Sequence, residues 1–175
     1  MVTIVQQNDP VLREIAQTVA IKDITSPKIK KIIRDMKEAL ASQKDGVAIA
    51  APQIGVPLRI FVVSALVLGH ADEKYKDLGS DLVCVNPELL RLSRKKEEME
   101  EGCLSVRWLY GKIRRSVKAT LRAYDEEGRL FERGASGILA QIFQHETEHL
   151  NGALFIDKAY DIEEIKPEEH AEQKH

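Results

Sequence analysis

The stretch Gln144-His145-Glu146-Thr147-Glu148-His149 constrains this 175-residue chain more than any other. Residues four apart share one face of an α-helix, so a helix here aims the His145 and His149 imidazoles at one point. Two such imidazoles can hold a metal ion, with Glu146 beside it as a general base. The same pattern also arises by chance on a charged, solvated helix. Against that reading, residues 136–143 are apolar at helical spacing, so the histidines continue a buried helix. Leu150 adds a last apolar contact, and Asn151-Gly152 is a stop signal. The fold must therefore bury a helix and still leave one of its faces open to a ligand.

The length suits one domain, residues 1–175, with a real core. A formal net charge of -2 gives no case for nucleic acid as a specific partner. The N-terminal segment lacks the basic-then-apolar order of a secretory signal. The longest apolar run, 60–68 with Ser64 inside it, is far short of a membrane span. Cys84 and Cys103 do not make a disulfide framework. They fit a reducing compartment, the cytoplasm, where a cysteine serves as ligand or filler.

Along the chain, Asp9-Pro10 reads as a capped short turn and Ser26-Pro27 as the start of a helix reaching about Ser42. Ile29, Ile32, Ile33, Met36 and Leu40 form its apolar stripe. Its lysines and Arg34 fit a solvated face better than a contact with ribosomal RNA. Residues 46–55 are small, and read either as a tight connection or as a strand edge and loop lining a cleft. Residues 58–68 read as a buried strand and 69–80 as a polar loop. Residues 82–87 read as a strand ended by Pro87, with Cys84 as core filler. Residues 89–99, with the charge run 94–98, read as an exposed hairpin end. Residues 117–124 and 130–132 are strands joined by a turn at 125–128. The tail from Asp161 looks unpatterned, with His170 and His175 exposed and irrelevant. Strands in blocks before one buried helix give an α+β fold, antiparallel or mixed sheets around a central metal-binding helix.

A catalytic metal takes three protein ligands and keeps one position open. In the pattern His-Glu-x-x-His-x-x-Gly-x-x-His the last histidine is the third ligand. Here Gly152 fits, but the ligand position holds Phe155, which cannot bind a metal. Glu163 and Glu164 are downstream candidates. Cys103, upstream in Glu101-Gly102-Cys103-Leu104-Ser105, is the better one.

With that third motif in hand, the sequence resembles the peptide deformylases. Residues 46–53 (Gly-Val-Ala-Ile-Ala-Ala-Pro-Gln), 101–105 and 144–149 agree in order and separation, and residues 9–13 and Asn86-Pro87 are also deformylase-like. The resemblance implies removal of the formyl group from the formylmethionine of new polypeptides, with N-formylmethionyl nascent chains as partners and room for transient ribosome contact. It implies Cys103, His145 and His149 as ligands of one divalent metal, Fe²⁺ natively with Zn²⁺ or Ni²⁺ accommodated. By the same resemblance Glu146 is the proton carrier, the Gln53 amide and Leu104 backbone N–H receive the oxyanion, and the peptide pairs near Val47 and Gly102. Glu101 is expected to pair with Arg115. Ile138 and Ile142 precede His145 on its own helix face, and are expected to line the methionine pocket, plain core being the alternative.

Three residues depart from the family pattern. Ala48 stands for a glycine, Glu148 for an aspartate, and Arg107-Trp108 for a Pro-Gly or related turn. Two other readings compete: a zincin-type peptidase, and a non-catalytic metal protein closed by Cys84 as fourth ligand.

Overall fold

Strand β2 (Ile60–Val63) lies between two apolar cores, and all four of its residues are buried. In the computed structural model, which describes residues 2–71 and 79–167, it belongs to a five-stranded antiparallel sheet. The other strands are β1 (Ala48–Ala50), β3 (Leu82–Leu92), β6 (Lys118–Tyr124) and β7 (Leu130–Ser136), in the order β1-β2-β3-β6-β7. Ile60 and Val62 face helix α1 (Pro27–Ala41) and pack with Ile29, Ile33, Met36 and Leu40. Phe61 and Val63 face helix α3 (Gly137–Leu150) and pack with Leu139, Ile142 and Phe143. Alternate residues of one strand thus serve two cores.

A second antiparallel sheet, ordered β4-β5-β8, contains β4 (Lys96–Cys103), β5 (Val106–Ser116) and β8 (Tyr160–Glu164). A third apolar cluster, Leu12, Val106, Leu154 and Phe155, fastens this sheet to the N-terminal segment. An Arg13–Asp157 ion pair at 2.6 Å joins the same parts. Gly152, just past α3, has φ 74°, and a Cβ there would sit 2.6 Å from the Arg13 carbonyl oxygen. Both handedness and crowding require glycine at that position.

The helix starts follow their caps. Ser26 Oγ accepts from the Ile29 N–H at 3.3 Å, with Pro27 as first helical residue. Asp9 accepts from the Val11 N–H at 3.0 Å and opens a single 3₁₀ turn, Pro10–Arg13. On α1, Lys31 pairs with Asp35 and Lys37 with Glu126, which partly neutralises its basic face. Among the described residues no helix is long and apolar enough to cross a membrane.

The α+β class with antiparallel sheets around α3 is as expected; several segments differ. The run 58–68 is a strand only to Val63. Ser64 then turns the chain into a second helix, α2 (Ala65–Ala71), its carbonyl accepting from Val67 and Leu68. Gly69 and His70, read as loop, are helical; 72–78 lie outside the described residues. Pro87 does not end β3. A register shift between Val85 and Glu88, with Asn86 at φ 51°, takes the proline into a bulge. The Asn86 amide also bonds both the Val19 N–H and carbonyl, at 2.8 and 2.7 Å. Residues 89–99 do not form a hairpin end, because β3 and β4 belong to different sheets. The start of the tail is strand β8, exposed along its length, so the hydrophobic pattern missed it. His170 and His175 lie outside the described residues.

Candidate active site

Helix α3 carries its functional residues on a face that looks away from the sheet. Gln141, His145 and His149 recur every fourth residue, as helical geometry requires. The strand β4 ends at Cys103, whose Sγ lies 3.2 Å from His149 Nε2. One ligand atom each from Cys103, His145 and His149 fall within 4.8 Å of one another. Ligands about 2.0–2.3 Å from a tetrahedral ion have separations of this order, so the three residues fit one metal. Glu163 and Glu164 are exposed on β8, outside this group. Cys84 is fully buried among Phe61, Leu121 and Phe143, also outside it.

The thiol is prepared for ligation. Burial pushes it up, but the facing His149 and His145 rings outweigh burial and hold it down at about 5. His145 is oriented from behind: its Nδ1 lies 2.8 Å from Glu101 Oε2. Glu101 is buried and receives both Nε and Nη2 of Arg115, at 2.7 and 2.9 Å. Burial would raise this carboxyl, yet the bonds from His145 and Arg115 bring it down to about 2. A carboxylate behind a ligating imidazole fixes which ring nitrogen faces the metal. Arg115 donates its remaining nitrogen, Nη1, to Glu148 at 2.8 Å, and Lys158 reaches the same oxygen at 2.6 Å.

These partners make Arg115 a structural keystone. Arg115→Met leaves Glu101 buried without its cation, and an expected loss of about 3–5 kcal/mol follows. Urea denaturation of the metal-free protein measures it.

Glu146 is held apart from these bonds. It is 3% exposed, and its Oε2 has no hydrogen-bond partner among the described residues. Burial raises its pKa, opposed by the two histidines. Gln53 enters from the 3₁₀ turn Ala51–Ile54 after β1. Its Oε1 accepts from the Ala50 N–H at 2.8 Å, which turns its NH₂ toward Ser105 Oγ (3.1 Å) and Cys103 Sγ (3.5 Å).

Gln53, Glu101, Cys103, His145 and Glu146 share one cleft of about 240 Å³, lined also by Val47, Ala48, Gly102, Leu104, Ile138 and Ile142. The small-residue segment is therefore an edge strand and loop on a cleft. Ile142 is 4% exposed and Ile138 48%, so one belongs to core and cleft at once while the other stands at the rim. Gly102 is opposite Tyr110 on β5, whose ring lies 2.7 Å from where a Cβ would be. Three contributors escaped the sequence reading. Gln141 bonds the Glu100 carbonyl at 2.9 Å and Glu101 Oε1 at 3.3 Å; its spacing before His145 was the available signal. Phe155 stacks on His145 with centroids 6.2 Å apart, and Lys158 backs Glu148; neither has a local sequence mark.

The polypeptide deformylase family profile matches residues 1–165. The chain belongs to that family. Its members are metal-dependent enzymes that remove the N-formyl group from new polypeptides, and the chain is such an enzyme. A peptide deformylase of Thermomicrobium roseum is 37% identical over 172 residues, covering 97% of this chain and 93% of the relative. The crystal structure of the Thermotoga maritima peptide deformylase superposes with a TM-score of 0.78 at 34% identity, over 91% of this chain and 98% of that one. A deformylase of Acinetobacter baumannii solved with Met-Ala-Ser bound has a TM-score of 0.79 at 30% identity, covering 90% of this chain and 98% of that one.

Proposed function

We propose that residues 1–175 act as a single catalytic domain in which Cys103, His145 and His149 hold one divalent ion and Glu146 moves the proton. Fe²⁺ is the proposed native ion, on the family resemblance. One thiolate with two imidazoles also suits Zn²⁺ or Ni²⁺. When bound, the ion supplies Lewis acidity, lowering the pKa of water toward about 7 and polarising the formyl oxygen.

The remaining work belongs to the chain. Glu146 takes a proton from the attacking water and returns one to the leaving amine. The Gln53 NH₂ and Leu104 N–H donate to the oxygen as it gains charge. The peptide of an N-formylmethionyl nascent chain lies between two sheet edges, pairing near Val47 before β1 and Gly102 in β4. Ile138 and Ile142 line the pocket for its methionine. A free thiol ligand suits a reducing compartment, and the cytoplasm is the proposed location.

The observation that carries this reading is the buried, unpartnered Glu146 Oε2 beside the thiol–imidazole group. A structural metal site would be closed by a fourth protein ligand. Cys84, the one other thiol, is in the core instead. The test is release of formate from formyl-Met-Ala-Ser by protein loaded anaerobically with Fe²⁺ or Ni²⁺. Cleavage of peptide bonds without formate release would return the peptidase reading.

Gln53→Ala should lower kcat more than it raises KM, because an oxyanion donor acts on the transition state. The expected loss is about 2.7–4 kcal/mol of barrier lowering. Steady-state kinetics on the same tripeptide separates the two constants, and an effect confined to KM would make Gln53 a ground-state contact.

A further inference from the structure

The residues that replace the family's Pro-Gly turn are the least explained part of the cleft. Trp108 has φ 67°, a left-handed conformation that a bulky side chain rarely takes. Held conformations of this kind concentrate where a side chain has to be aimed. The Ile165 N–H bonds the Trp108 carbonyl at 2.8 Å, and the Arg107 guanidinium lies 5.2 Å from its ring centroid. Arg107 then reaches across the chain: Nη1 donates to Asp45 Oδ2 at 2.7 Å and Nη2 to Gln43 Oε1 at 2.5 Å. Asp45 and Gln43 belong to the segment between α1 and β1, which leads directly into Val47. Gly46 lets that segment fold tightly on the end of α1, since a Cβ there would lie 2.9 Å from the Leu40 side chain.

An ion pair with its aspartate half open to water adds little to stability. Its position is more telling. Asp45, Arg107 and Trp108 line the same cleft as Val47, Gly102 and Glu146. Arg107 therefore ties the β1 wall of the cleft to the β5 wall.

We propose that Arg107, seated on Trp108 and tethered to Asp45 and Gln43, is a positioning latch that sets the spacing of the cleft walls for the polypeptide beyond the formylated methionine. The part of the substrate it acts on is the peptide backbone beyond the formylated methionine, which a single formylated amino acid lacks. This rests on the deformylase reading of the cleft. An extended peptide must pass between both walls, whereas a single residue needs only the methionine pocket and the reacting groups.

The test compares formyl-Met-Ala-Ser with N-formylmethionine amide for the parent, Arg107→Ala, Asp45→Ala and the swap Arg107→Asp with Asp45→Arg. In each single variant the ratio of kcat/KM for the tripeptide to that for the amide should fall roughly two- to fivefold, the size of one partly exposed ion pair, and the change should be in KM. The swap, which restores the ion pair but neither the seat on Trp108 nor the bond to Gln43, should recover part of the parent ratio. An unchanged ratio, or a swap no better than the single variants, would overturn the latch. Loss of formate release from both substrates by the parent itself would instead overturn the reading of the cleft, so the two failures are distinct.

Discussion

Glu146→Gln is expected to keep its metal and to lose turnover by about 10²–10⁴-fold or more, the contribution of a positioned general base. The carboxylate is no member of the Cys103, His145, His149 group, so an amide of the same shape leaves the ligands in place. It removes the buried carboxylate that the proposed mechanism uses to accept a proton and hand it on. The same substitution should raise stability, because a buried carboxylate oxygen without a partner is costly to bury. Stability rising while activity falls is the behaviour of a residue kept for its chemistry. Formate release, metal content and thermal unfolding of one variant check all three expectations. Substantial deformylation by Glu146→Gln would show that the proton is carried elsewhere.

Cys103→Ser should all but abolish metal binding. The two facing histidines already hold the thiol largely ionised near neutral pH, so the site offers a soft, charged ligand before any ion arrives. A serine hydroxyl stays protonated there and is hard. Cys84→Ser is the control: its thiol is packed among apolar side chains and pushed up by burial, so metal content and rate should stay near those of the parent. The thiolate should also make the iron form sensitive to air, while the zinc form should last longer because zinc has no redox chemistry. Chelator competition on the two variants, with kinetics in and out of air, reads each outcome. A Cys103→Ser protein that binds metal as tightly as the parent would send the search to another third ligand.

The site was legible where chemistry and periodicity coincide. His145 and His149 are a helical repeat, and Glu146 is fixed between them by sequence alone. Cys103 was reachable by elimination, since Phe155 occupies the expected ligand position. The Glu101–Arg115 pair came through family resemblance, because nothing local in either residue announces a partner across a strand pair. The fold was legible where burial is one-sided, as in α1. It was misread where burial is two-sided or absent. Residues 60–68 are apolar in both their strand and their helix, so no period separates Val63 from Ala65. Strand β8 is exposed at every position and offers no period at all. Pro87 was read as a terminator because its lost N–H is visible in sequence, whereas the bulge that accommodates it lies in the pairing of β3 with β6, and Asn86 there bonds Val19, far away in the chain.

Because Ile60 and Val62 belong to the α1 side and Phe61 and Val63 to the α3 side, neighbouring positions of one strand answer to different demands. The α1 side reaches the cleft through Leu104 and through Ala51 and Ile54, which flank Gln53, but it does not include Cys103, His145 or His149. Repacking at Ile33, Met36 or Val62 can thus tune how hard the protein is to unfold while the helix that carries His145 and His149 stays where it is. Phe61 and Val63 have no such licence, since the helix they support also carries the histidines. Adaptation to heat or cold therefore has more freedom on the side of the sheet that does not hold the histidine helix.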